Sequence, residues 1–268
     1  MALFRHHITL LLLIALGLGS YLVLRPSTDT LVIDSPPIQI SNSTTSILLV
    51  SALYPLAKSK HTSADYARWL SLFLSQIQTD VYFFTTPEMA SLVRDVAVVH
   101  SRSITINTTY SSPCDIPPLL GLRGHYERMH ALDRERARHS PELYAVWNAK
   151  PFFLSEAVRN TADAGYHYAF WCDAGSFRRE HRYAVWPDPD RVDGLWREAG
   201  EDMLFLPIES APGPAYRGWK ADMGPVDVDF SEGAQFLHRC FSITSHSFLS
   251  HLRHFRIAPN LQVSGFLL

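Results

Sequence analysis

Cysteine is scarce in this sequence. Cys114, Cys172 and Cys240 are too few to staple 268 residues into a disulfide scaffold. Neither Cys-x-x-Cys nor His-Glu-x-x-His occurs, so no zinc site has a local signature. Gly-x-Ser-x-Gly is absent too, and with it the strand-to-helix elbow of a serine hydrolase. There is no basic surplus: 24 Lys and Arg stand against 26 Asp and Glu, for a formal charge of −2. That balance excludes a general nucleic-acid binder, which needs cations to meet phosphates. Acid is missing altogether from residues 234–268. A chain that is 47% hydrophobic and 12% aromatic is neither disordered nor collagenous.

One long apolar run is present. From Ile8 to Leu24 no residue is charged, with Arg5 before the run and Arg25-Pro26 after it. As a helix rising about 1.5 Å per residue it would span roughly 25 Å, just short of a hydrocarbon core. A signal-anchor and a cleaved signal peptide are both open; the length favours the anchor. The expected layout is a cytosolic tail (1–7), a membrane span (8–24) and a Ser/Thr/Pro-rich stem (25–46). A lumenal body (47–233) and a divergent tail (234–268) follow. Such a protein is single-pass, type II, and resides in the Golgi or ER. Asn42 and Asn107 each begin an acceptor tripeptide for N-glycosylation.

Within the body, strands are expected at residues 47–52, 81–84, 103–107, 168–172 and 203–208. Thr62 opens a helix whose apolar face is Tyr66, Trp69, Leu70, Phe73, Leu74 and Ile77. A short helix is expected from Pro87 to about Arg94, and a charged one over residues 126–138. Ser140-Pro141 caps a further helix that Pro151 kinks or restarts. Alternating strands and helices predict an α/β fold with a mixed, mostly parallel sheet, whose ligands bind beyond the strands' carboxyl ends.

The segment Phe-Trp-Cys-Asp-Ala-Gly-Ser-Phe-Arg-Arg, ending at Arg179, carries the most chemistry. A hydrophobic strand runs into Asp173, then Gly175, then Arg178 and Arg179. Two readings are open. Asp173 can hold a divalent cation against a diphosphate, with Gly175 giving close approach and the arginines receiving phosphate. Alternatively, this is an Asp-x-Gly turn followed by solvated arginines. Cys172, in the strand, reads as a small hydrophobe.

Trp147-Asn148-Ala149-Lys150-Pro151-Phe152-Phe153 and Asp173-Ala174-Gly175-Ser176-Phe177-Arg178 together resemble the HtrL/YibB-like glycosyltransferase family, including fungal membrane-anchored members. The resemblance runs from about Ile47 to Gly233. It implies a GT-A-like fold and hexosyl-type transfer from a nucleoside diphosphate sugar to a hydroxyl on a glycan, protein or lipid. Ser51 and Ala52, at the end of the first strand, would help bind the nucleotide. Asn148 and Lys150 would face the donor, although Asn-Ala-Lys-Pro also reads as a helix-packing element. Asp173 would take the place of the metal-binding carboxylate (Mn or Mg), with Gly175 where a second Asp is usual. Arg178 would assist the diphosphate, and Glu232 is the one nameable candidate for the acceptor's base. After Gly233 the family's Gly-Gly segment and Asp-Gln pair are missing. The C-terminal part is therefore expected to be incomplete or an alternative ending. A non-catalytic protein that keeps only the donor half is the rival expectation.

Overall fold

The computed structural model describes residues 46–97, 103–199, 210, 213–216, 218–220 and 233–239. The apolar run from Ile8 to Leu24, the stem, Asn42, Glu232 and the strand expected at residues 203–208 lie outside them. Among the described residues no helix is long and apolar enough to cross a membrane.

The chain opens with β1 (Ile47–Leu53), α1 (Ser63–Gln76), β2 (Asp80–Thr85), α2 (Ala90–Ala97) and β3 (Ile104–Asn107). Two 3-10 turns, Pro113–Asp115 and Pro117–Leu119, lead into α3 (Arg123–Leu132) and α4 (Pro141–Asn160). Then come β4 (Tyr168–Cys172), α5 (Pro189–Ala199) and β5 (Gln235–Arg239). The sheet order is β3-β2-β1-β4-β5. The first four strands are mutually parallel and β5 runs antiparallel to β4. The result is a mixed sheet with flanking helices. Its last strand comes from residues beyond Gly233, which the sequence reading assigned to the tail.

β1 is buried along its whole length because both faces are covered. Leu48, Val50 and Ala52 pack with Phe153, Leu154 and Ala157 of α4. Leu49 and Leu53 point the other way, toward Leu70, Phe73 and Leu74 of α1. Each large side chain so buried contributes roughly 1.5–3 kcal/mol. α1 begins where expected. Thr62 Oγ1 accepts from the Asp65 N–H at 3.1 Å, and Asp65 Oδ2 accepts from the Thr62 N–H at 3.0 Å, a reciprocal capping box.

Three local expectations change. The charged helix stops at Leu132 rather than running to residue 138. Asp133 leaves it because its carboxylate is drawn inward: Tyr144 Oη donates to Oδ2 at 2.5 Å, and His139 Nδ1 lies 2.6 Å away. Ser140 precedes α4, but its hydroxyl is buried and caps nothing; its carbonyl accepts from Leu143 instead. Pro151 does not divide α4, which continues to Asn160. The proline withholds one N–H from the Trp147 carbonyl, while burial of Phe153, Leu154, Ala157 and Val158 carries the helix on.

The order places a topological switch at β1. The chain leaves β1 toward β2 and β3, then returns to the opposite side as β4. The loops after β1 and β4 therefore diverge and leave a crevice at the carboxyl edge.

Candidate active site

A cavity of about 720 Å³ fills that crevice, within the size range of small-molecule sites. Ala52 and Tyr54 enter from the end of β1, and Lys60 and His61 from the loop before α1. Trp69 of α1, Lys150 of α4 and Asp173, Gly175 and Arg178 after β4 complete the wall.

Of the residues singled out by sequence, five converge here: Ala52, Lys150, Asp173, Gly175 and Arg178. Ser51 does not line the cavity; its side chain has the parity of Leu49 and Leu53 and is fully buried, with Oγ unpartnered. Asn148 is off the wall as well. It stands two positions from Lys150, so the two diverge around α4, and its Nδ2 donates to Tyr126 Oη at 3.1 Å. Arg179 is exposed and off the wall. Asn107 sits at the end of β3, where its Nδ2, the atom a glycan would occupy, donates to Tyr82 Oη at 3.0 Å.

Lys150 is a buried cation, and a buried ammonium costs several kcal/mol to desolvate unless it is paired. Its Nζ lies 2.8 Å from Asp173 Oδ1 and 3.0 Å from Oδ2, and donates to the Gly233 carbonyl at 2.6 Å. The Trp171 ring lies beneath it, 5.8 Å from centroid to Nζ. Trp171 Nε1 also donates to Asp173 Oδ1 at 2.6 Å. The carboxylate is thus fixed from two elements while a third of its side chain stays open to solvent.

The turn reading of this segment also holds in part, since the Ser176 N–H donates to the Asp173 carbonyl at 2.9 Å. Gly175 allows a close approach, and its neighbour is Trp69: a Cβ there would lie 3.2 Å from Trp69 Cε3. Arg178 follows, with its Nε donating to the Gly175 carbonyl at 3.1 Å and its guanidinium 4.7 Å over the Trp69 ring. His61 meets the same ring edge-on at 4.7 Å. Burial, then Arg178 and Lys60, hold the His61 imidazole below its usual pKa, and Asp65 pulls weakly the other way. Burial pushes the Tyr54 phenol and the Cys172 thiol up, so both stay protonated at neutral pH.

Lys60, His61, Tyr54 and Trp69 had no assigned role in the sequence. The usable signal was position: the loop after the first strand of a parallel sheet borders the ligand crevice. The spacing of Trp69 marks it only as part of the apolar face of α1.

The fit of a divalent cation depends on its oxygen donors. Asp173 is the only acid on the wall among the described residues. Its Oδ1 already accepts two donors and its Oδ2 one, both oxygens facing an ammonium. No group of three His, Cys, Asp or Glu side chains is placed to hold a metal among the described residues. Mg²⁺ and Mn²⁺ take several oxygen ligands, so the described donor set, one carboxylate already paired with an ammonium, does not by itself fit the cation that the resemblance implies.

No family model and no curated protein matches the sequence. Similar solved structures include core-mannan synthase A of Aspergillus fumigatus in its Mn/GDP form, 10% identical with a TM-score of 0.42. That match covers 82% of this chain and 66% of the other. A mannosyltransferase of S. cerevisiae in complex with GDP is 11% identical, TM-score 0.37, over 67% of this chain and 45% of that one. Mouse xyloside xylosyltransferase 1, apo form, is 12% identical, TM-score 0.35, over 78% and 71%. The chain thus spans less than two thirds of the length of the first two.

Proposed function

We propose that this chain is a glycosyltransferase of the HtrL/YibB-like kind with a GT-A-like donor site. It moves a hexosyl-type sugar from a nucleoside diphosphate to a hydroxyl on a glycan, protein or lipid. The bond between the sugar's anomeric carbon and the β-phosphate oxygen breaks. A bond to the acceptor oxygen forms, the acceptor proton leaves to a base, and the nucleoside diphosphate departs. The observation that carries this reading is the cavity at the β1/β4 switch, where Lys150, Asp173 and Arg178 converge beside Trp69. Cationic groups held in a crevice stabilise the charge that develops on a leaving diphosphate. In the same proposal the run from Ile8 to Leu24 anchors the protein in the Golgi or ER membrane, with residues 25–46 as stem and the body in the lumen.

The test is turnover by the purified full chain on a panel of nucleoside diphosphate sugars, read as release of nucleoside diphosphate. Asp173→Asn, which releases the Lys150 ammonium from its partner, is expected to cut the rate about tenfold by disturbing the position of that cation beside the diphosphate. Failure to bind or turn over any member of the panel would sink the proposal. The second reading, a non-catalytic donor-binding protein, is favoured by one feature. Apart from Asp173, already engaged by Lys150, the described cavity wall carries no carboxylate to serve as base. Binding without turnover would select it.

A further inference from the structure

The charges on the cavity wall do not cancel. Lys150 and Asp173 neutralise one another. Lys60 and Arg178 remain, with no carboxylate within ion-pair distance of either among the described residues, leaving two positive charges in surplus. Both are exposed. Stacking on Trp69 and the Nε bond to Gly175 fix the Arg178 guanidinium, while its terminal nitrogens have no acceptor among the described residues. That leaves the planar fork free for an anion. His61 stands against the same indole and feels both cations.

These groups gather at the amino end of α1, a fourteen-residue helix whose dipole adds positive potential there. The capping box occupies the Asp65 N–H; the Ser63 and Ala64 N–H groups have no intrahelical acceptor. Ser63 lines the cavity. The Trp69 Nε1–H, on the same wall, is buried without an acceptor. Asp173 is occupied by Lys150 and Trp171, whereas this end of the cavity presents Lys60, the Arg178 terminal nitrogens, the Trp69 Nε1–H and the first N–H groups of α1 as donors.

Resting on the donor-site reading, we propose that the diphosphate is held by Lys60, His61 and Arg178 at the amino end of α1, and binds without a divalent cation on Asp173. A diphosphate carrying two to three negative charges matches the surplus already on the wall. The groups facing His61 are Lys60, Arg178 and Asp65, together with the rings of Tyr66 and Trp69. An arriving anion outweighs the two cations, so His61 takes up a proton as the nucleotide binds.

The experiment is calorimetric titration of UDP and of GDP into the purified full chain near neutral pH. It is run in EDTA and in Mn²⁺, and in buffers of different ionisation enthalpy. The better-bound nucleotide is expected to show affinities within about threefold of each other in EDTA and Mn²⁺. Proton uptake on binding is expected, and is lost in His61→Asn. The double variant Lys60→Ala, Arg178→Ala is expected to bind about 100-fold more weakly, one decade per charged contact. Both side chains are exposed, and an unchanged melting temperature shows that the variant folds. Binding that requires Mn²⁺ would overturn this inference and leave the donor site standing. Unchanged affinity in the folded double variant would overturn it as well. No binding of either nucleotide under any condition would overturn the donor-site reading itself.

Discussion

Asp133 and Asp173 are both carboxylates drawn in from the surface, yet they live differently. Asp133 is 5% exposed and closed on every side: Tyr144 Oη, the Glu135 N–H and His139 all bond to it, and Glu135 lies 3.6 Å from the far nitrogen of that histidine. Asp173 is held by two groups, Lys150 and Trp171, and a third of its side chain faces the cavity. The first network ends a helix and seats the start of α4. The second borders space that can admit a ligand. The difference teaches that a satisfied buried charge marks a site only where an open surface accompanies it.

The largest expected effect comes from removing the closed partner. Asp133→Ala leaves the Tyr144 hydroxyl and His139 buried without their acceptor and should cost about 3 kcal/mol of stability. Nucleotide affinity of the folded protein should not change; denaturant unfolding and titration read the two separately. Acid acts on the same network. Burial alone would raise the Asp133 carboxyl, but bonds from Tyr144, the Glu135 N–H and His139 outweigh it and hold it below the usual carboxylate value. Its stabilising contribution is therefore full above the unfolded value of about 3.9 and fades as pH falls through the lower folded one. In Asp133→Asn the acid-side loss of stability should be shallower than in the parent.

Gly175→Ala tests the open side. The new Cβ lies 3.2 Å from Trp69, so the indole must give by a few tenths of an ångström. We expect about 1 kcal/mol of destabilisation. Because that indole carries Arg178 and His61, nucleotide affinity should fall with it, unlike in Asp133→Ala. Smallest is Thr62→Ala. It opens the capping box at the amino end of α1 and should lower stability by about 1 kcal/mol or less, measured by thermal melting.

Much of the fold could be read from sequence because it is local. β1 and β4 are apolar runs buried on both faces, and α1 announces itself through its cap and its three-and-four spacing. The end of α3 could not be read, since what stops it is a bond that Asp133 accepts from a tyrosine eleven residues away. β5 was hidden for a similar reason. Gln235–Arg239 joins the sheet only through antiparallel pairing with β4, a partner distant in sequence. In the site, Lys150 and Asp173 were each singled out, but their mutual pairing was not, and it alters what Asp173 can hold. Asn148 shared the motif of Lys150 and faces elsewhere, because residues two positions apart on a helix point to different sides, a divergence that reading the motif as one unit overlooks.

Lys150 also has a polymer consequence. Its one ammonium closes two chain loops, spanning 23 residues to Asp173 and 83 to Gly233. The entropy of closing a loop grows only with the logarithm of its length, so the longer closure costs about 1 kcal/mol more than the shorter. A segment far along the chain is thereby recruited to the cavity at little entropic expense, and the length of the connection between β4 and β5 can vary widely without loosening the site.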